Sequence, residues 1–164
     1  MRDDEGEVGV LSMRLGYQLR RLDLLAMEQL HDDMAKTGMS PARATALVYV
    51  DRHPGCDQAA LGRVLGINRA STMATVNALV GLGAIERHPG RDRRTNALHL
   101  TDEGRRLVAE VIQISADHDA QIFGALNETE RADLFRLLVR VREANSVHAP
   151  RGIIAKRANL RRVK

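Results

Sequence analysis

Asp57-Gln58-Ala59-Ala60-Leu61-Gly62-Arg63-Val64-Leu65-Gly66-Ile67-Asn68-Arg69 is the stretch on which the fold turns. Its first nine residues have the apolar spacing of a short helix. Gly66 follows at the position where a left-handed residue ends such a helix. Asn68 is a good N-cap, because its short side chain accepts from the free backbone N–H groups of the next turn. A second helix is therefore predicted from Arg69 to about Leu82, stopped by Gly83. Two short helices joined by a tight glycine-containing turn make a helix-turn-helix, whose second helix fits a DNA major groove.

The residues beyond Gly83 sharpen this reading. Ala84-Ile85-Glu86-Arg87 has a strand pattern, and His88-Pro89-Gly90-Arg91-Asp92-Arg93-Arg94-Thr95-Asn96 is a turn-rich, cationic loop. Ala97-Leu98-His99-Leu100 alternates again and leads to Thr101, a cap for the next helix. A hairpin with an arginine tip is a wing, and the pair of elements is DNA-binding machinery.

Leu79-Val80-Gly81-Leu82-Gly83-Ala84-Ile85-Glu86-Arg87, Asp92-Arg93-Arg94 and Leu98-His99-Leu100-Thr101-Asp102-Glu103-Gly104 stand at the spacings of a known family. Here the chain resembles the MarR/SlyA family of transcriptional regulators, over about residues 8–146. The resemblance implies a mainly α fold: a winged helix-turn-helix lobe with a two-stranded β wing over 40–101, and a helical dimerisation body from 8–36 and 102–146. It also implies a homodimer, most simply a repressor, on a palindromic double-stranded DNA operator. A small effector, an aromatic acid or related lipophilic anion, would bind between body and lobe and release the operator.

Composition agrees with a single domain. The 164 residues can bury a sizeable core, and with two Tyr, two Phe and no Trp that core must be aliphatic. No apolar run approaches the length of a membrane span and no signal-peptide pattern opens the chain, so no membrane partner and a cytoplasmic location are expected. One cysteine excludes an internal disulfide framework. The formal charge of +4 is misleading, because residues 151–164 hold six basic side chains and no acidic one. Without that tail, 19 basic residues face 21 acidic ones, a net of −2. The local count carries the nucleic-acid signal: Arg87 to Arg94 contains four arginines and one aspartate.

Around the central unit, residues 1–7 are polar and read as a frayed, flexible N-terminus. From Val8 to about Ala35 one long helix is expected, with Leu11, Leu15, Leu22, Leu25, Leu30 and Met34 as one apolar strip and Met13, Tyr17, Leu24 and Met27 as a second. Apolar on two sides, it needs cover on two sides, which points to a partner subunit; the competing reading is a helix buried in its own monomer. Ser40-Pro41 starts a helix to about Asp51. Thr101 starts another through Leu107, Val111 and His118, lacking the reciprocal half of a capping box because Gly104 stands at N3. Asn127-Glu128-Thr129-Glu130 supplies a full box for the last helix, and residues 147–164 form a basic tail.

On the second helix of the motif, Thr72, Thr75, Val76 and Leu79 share the inward side. Ala70, Ala74, Asn77 and Gly81 face outward, flanked by Ser71, Met73 and Ala78. Asn77 can pair bidentately with adenine, Ser71 can reach a base or phosphate, and Arg69 is placed for a phosphate. This face is poor in charge, with alanine where the resembled family often has arginine; small side chains there can read thymine methyls. In the wing, Arg93 and Arg94 suit a narrow minor groove, Asp92 would orient an arginine, and Arg91 and Arg87 suit phosphates.

Other residues offer less. Cys56 stands at N′ with Leu61 at N4, the geometry of a hydrophobic staple, and redox sensing is its alternative. His53-x-x-Cys56 has ligand-type atoms but no second pair, so no metal is expected. Tyr17, His31 and His118 are polar groups near apolar helix faces and are the candidates for effector binding; His118 reads more simply as a core or dimer-seam histidine. No phosphate loop, nucleophile elbow or paired carboxylates occur, so neither an enzyme nor a cofactor is expected. The competing function is a winged helix that binds protein rather than DNA, against which the arginine wing and basic tail both count.

Overall fold

Side-chain caps set most of the helix boundaries. The computed structural model describes residues 9–90 and 96–145, and within them a 3-10 turn over Gly9–Met13 precedes helix α1 (Leu15–Ala35). Then come α2 (Pro41–Arg52), strand β1 (Cys56–Asp57), α3 (Gln58–Leu65) and α4 (Arg69–Gly81). Strands β2 (Ile85–Pro89) and β3 (Asn96–Leu100) lead into α5 (Asp102–Ile122) and α6 (Glu128–Ala144). Ser40 Oγ accepts from the Arg43 N–H at 3.4 Å, with Pro41 in the first turn behind it. Asp57 Oδ1 accepts from Ala60 at 2.6 Å, and Asn68 Oδ1 from Ser71 at 2.9 Å. At α6 the expected box closes in both directions: Glu130 N–H donates to Asn127 Oδ1 at 3.0 Å, and Asn127 N–H to Glu130 Oε2 at 2.8 Å.

Three expectations are corrected. The first helix is not continuous from Val8, because Arg14 is extended (φ −92°, ψ 132°) and separates the 3-10 turn from α1. The two strands of the expected wing, β2 and β3, are joined by a third, β1, that the sequence did not suggest, in the order β1-β3-β2, all antiparallel. Gly55 N–H donates to Leu98 O at 2.8 Å, and Cys56 and Asp57 then pair with Leu98 and Ala97. Finally, β2 runs on through His88 and Pro89 instead of ending at Arg87, with Pro89 opposite Asn96. Pro89 is tolerated because β2 is an edge strand, where a missing N–H breaks no second ladder.

The core is aliphatic, as composition required. Leu47, Val50, Leu61, Val76, Leu79, Ile85 and Leu98 are its largest fully buried side chains, drawn from α2, α3, α4, β2 and β3. Burying each contributes about 1.5–3 kcal/mol. Two glycines let backbones meet. A Cβ on Gly62 would lie 2.5 Å from Thr72 Oγ1, so only glycine lets α3 and α4 cross this closely. A Cβ on Gly104 would lie 1.9 Å from Ala84 O, so α5 starts hard against the end of the helix-turn-helix. Thr101 fastens that joint: its Oγ1 donates to Gly83 O at 2.5 Å and accepts from Gly104 N–H at 2.9 Å, while its N–H donates to Ala84 O at 3.2 Å.

Among the described residues, α1 is covered on one side only and α6 on neither. Met34 of α1 is buried, and Leu30 packs on the core beside it. Leu15 (84% exposed), Leu19, Leu24, Leu25 and Met27 remain in the open. Leu11, Leu15 and Leu25, which the sequence groups in one strip with Leu30 and Met34, are exposed instead. Helix α6 has no buried residue, and Phe135 (71% exposed), Leu137, Leu138 and Val141 are uncovered.

Candidate nucleic-acid interface

Helix α4 presents two faces, set by how it is seated on α3. Gly66, with φ +69°, ends α3 in the left-handed conformation, and Asn68 caps α4 directly after it. Thr72, Val76 and Leu79 are buried against the core, with Thr72 Oγ1 donating to Asn68 O at 2.8 Å. Ala70, Ser71, Met73, Ala74 and Asn77 are exposed on the opposite face, Met73 to 51%. Arg69, also exposed, is the only charged residue of α4. The outward surface is thus small and apolar, with one hydroxyl and one carboxamide.

Strand β2 brings a cation to this face. Arg87 is exposed on β2, and its Nη2 donates to Oδ1 of Asn77. This side-chain bond ties the wing to the exposed face of α4. Farther along β2, His88 Nε2 lies 2.7 Å from Glu86 Oε1, and its ring packs at 4.8 Å on that of His99. The Glu86–His88 pair is about half exposed on both sides and contributes little energy. Arg91, Asp92, Arg93 and Arg94 of the wing, and the basic tail beyond residue 146, lie outside the described residues.

Cys56 is half-buried beside the core and precedes the α3 cap Asp57, in keeping with the staple position. Burial pushes its thiol up to about 11, and the Asp57 carboxylate adds to the effect. A thiolate is disfavoured there. No group of His, Cys, Asp and Glu among the described residues could hold a metal ion.

The three polar residues singled out for an effector are not brought together. Tyr17 and His31 stand about 21 Å apart along α1 at helical rise. Tyr17 is half-buried and His31 exposed. His118 of α5 is only 7% exposed, and its Nδ1 has no hydrogen-bond partner among the described residues. Oε1 of Gln29, on α1, is likewise buried and unpartnered. Sequence reasoning passed over Gln29; the available signal was a polar residue one position from Leu30 on the strip that ends at Met34. The Arg87–Asn77 bond was also missed, since it joins a helix to a strand.

Comparison with known proteins agrees with this geometry. A sequence model described as MarR family matches residues 37–95. A putative transcriptional regulatory protein for the hcr operon of Thauera aromatica is 31% identical over 140 residues, covering 84% of each chain. Among solved structures, the transcriptional repressor CouR bound to a 23-mer DNA duplex superposes with a TM-score of 0.74 at 32% identity, over 82% of this chain and 96% of that one. The same repressor bound to p-coumaroyl-CoA gives 0.69 at 31% identity, over 82% and 96%.

Proposed function

This chain belongs to the MarR family of transcriptional regulators, DNA-binding proteins rather than enzymes, and we propose that it acts as a homodimeric repressor of a palindromic operator. The observation that carries the DNA contact is the uncharged outward face of α4, bordered by Arg69 at its start and Arg87 on β2. In this reading α4 enters the major groove. Ala70, Met73 and Ala74 meet base edges and thymine methyls, Ser71 and Asn77 hydrogen-bond, and Arg69 holds a phosphate. Arg91, Arg93 and Arg94 of the wing reach the adjoining minor groove, with Asp92 orienting one of them.

Dimerisation is supported by α6. A capped helix of 17 residues with none buried gains little from packing among the described residues, and short helices in water are marginal without tertiary packing. The open strip of α1 and the Phe135 side of α6 together make an apolar surface that a second copy would cover. Residues 8–36 and 102–146 form the body in this reading, and 40–101 the DNA lobe. The 147–164 tail adds basic charge along the phosphates. Two recognition helices must sit about 34 Å apart to meet successive major grooves, so a small change at the body–lobe joint suffices for release.

For that release we look to the buried polar groups of α1 and α5, where Gln29 Oε1 and His118 Nδ1 each lack a partner among the described residues. The unpartnered Gln29 Oε1 calls for a donor such as a phenolic hydroxyl, and the p-coumaroyl-CoA complex of CouR favours phenolic acyl thioesters for the first trial. The test is selection of duplexes from a random pool by the full chain. An inverted repeat with half-sites one helical turn apart is expected. Failure to enrich any sequence, with binding insensitive to salt, would favour the protein-interaction alternative.

A further inference from the structure

Met73 gives the outward face of α4 an apolar centre. Ala70, Met73, Ala74 and Asn77 recur at the spacing of one helical side and all four are exposed, Met73 to 51%. Ala70 and Ala74 carry no hydrogen-bonding group, and the Met73 thioether accepts only weakly. Arg69, at the start of α4, is its only charged residue. In the major groove thymine differs from cytosine in two ways: O4 accepts where N4 donates, and C5 carries a methyl group. A patch without strong donors or acceptors is nearly blind to the first difference and senses the second. 5-Methylcytosine carries the same methyl at the same place on the ring.

Resting on the DNA-binding reading above, we infer that Met73, flanked by Ala70 and Ala74, reads the C5 methyl group of a pyrimidine rather than the identity of the base. 5-Methylcytosine then substitutes for thymine in the half-site, and operator occupancy responds to cytosine methylation at that position. Methionine suits this contact, because its unbranched, polarisable side chain adapts to the exact place of the methyl. The two alanines leave room for the pyrimidine edge beside it. Ser71 and Asn77 remain for hydrogen-bonded readout of neighbouring bases.

The experiment uses the full chain and a duplex recovered by selection, read by fluorescence anisotropy at fixed salt. Each thymine of a half-site is replaced in turn by deoxyuridine, which removes only the methyl. At the position facing Met73 the loss should be about fourfold, the factor supplied by burying one methyl-sized group. Cytosine and 5-methylcytosine placed there should differ by the same factor, with the methylated base binding more tightly. Met73→Ala should bring both ratios close to one, whereas Met73→Leu, which keeps an apolar side chain, should preserve them. The inference falls if no deoxyuridine weakens binding, or if cytosine and 5-methylcytosine bind alike at the sensitive position. It falls equally if Met73→Ala leaves both ratios unchanged. Each of these results leaves the DNA-binding reading standing, and only a parent that selects no duplex would remove both.

Discussion

Replacing Gly104 with alanine should loosen the joint between α5 and the end of the helix-turn-helix. The new methyl would lie 1.9 Å from Ala84 O, 3.0 Å from the Ala84 carbonyl carbon and 3.1 Å from Leu100 Cδ2. Ordinary contact lies at about 3.5 Å, so α5 and the Ala84 backbone must part by more than about 1 Å. Overpacking of this kind costs about 1–3 kcal/mol. Weakening the Thr101 bonds to Gly83 O and Ala84 O costs about 0.5–1.5 kcal/mol each. The gain from replacing a helical glycine returns only about 0.5–1 kcal/mol. The net is a loss of about 1–5 kcal/mol, or a melting temperature lowered by roughly 2–20 °C for a chain of this size. Gly16→Ala on α1 is the control, since its methyl would meet nothing within 4 Å and should stabilise slightly. Circular dichroism melts at one protein concentration compare the two. If Gly104→Ala melts at or above the parent, the close approach does not govern the joint and the reasoning fails.

Two further outcomes follow from the exposed surfaces and from Cys56. Leu15→Glu with Phe135→Glu places charge in the uncovered apolar strips, and light scattering should show the parent dimer reduced to monomer with operator binding lost; a dimer that survives both changes would place the interface elsewhere. Cys56→Ser should leave DNA binding and its response to peroxide unchanged, because the folded thiol stays protonated at neutral pH. The folded state holds this proton to about 11 while the unfolded chain releases it near 9.0, so the parent should lose stability between those values and Cys56→Ser should not. A parent–variant difference that grows below pH 8 would contradict this sign.

Much of the lobe is legible because its signals are local. Asn68, Thr101 and the Asn127–Glu130 box act within one turn, and each cap stands where residue chemistry puts it. The inward triplet Thr72, Val76 and Leu79 follows from helical period alone. The misses depend on distant partners. Cys56-Asp57 has no periodicity, and becomes a strand only because β3 lies alongside. Leu25 and Leu30 are equally apolar, so which one faces the core is decided by α5 and the rest of the fold rather than by sequence pattern. The same holds at the candidate interface. Exposure of Asn77 is readable from the helix period, but its capture by Arg87 requires knowing that β2 returns beside α4.

Central to the account is that α4 and the wing together grip DNA, and the arginines of the wing give the most direct test. Arg93→Ala with Arg94→Ala should leave the fold and its melting temperature nearly intact, since substitutions away from a packed core typically cost under about 0.5 kcal/mol and the 88–96 sequence is polar and charged. Fluorescence anisotropy on the selected duplex at fixed salt should show affinity falling by more than about tenfold, because a minor-groove arginine supplies both charge neutralisation and shape readout. A folded, dimeric double variant that binds the duplex like its parent would contradict the wing as a DNA contact, and with it the proposed mode of binding.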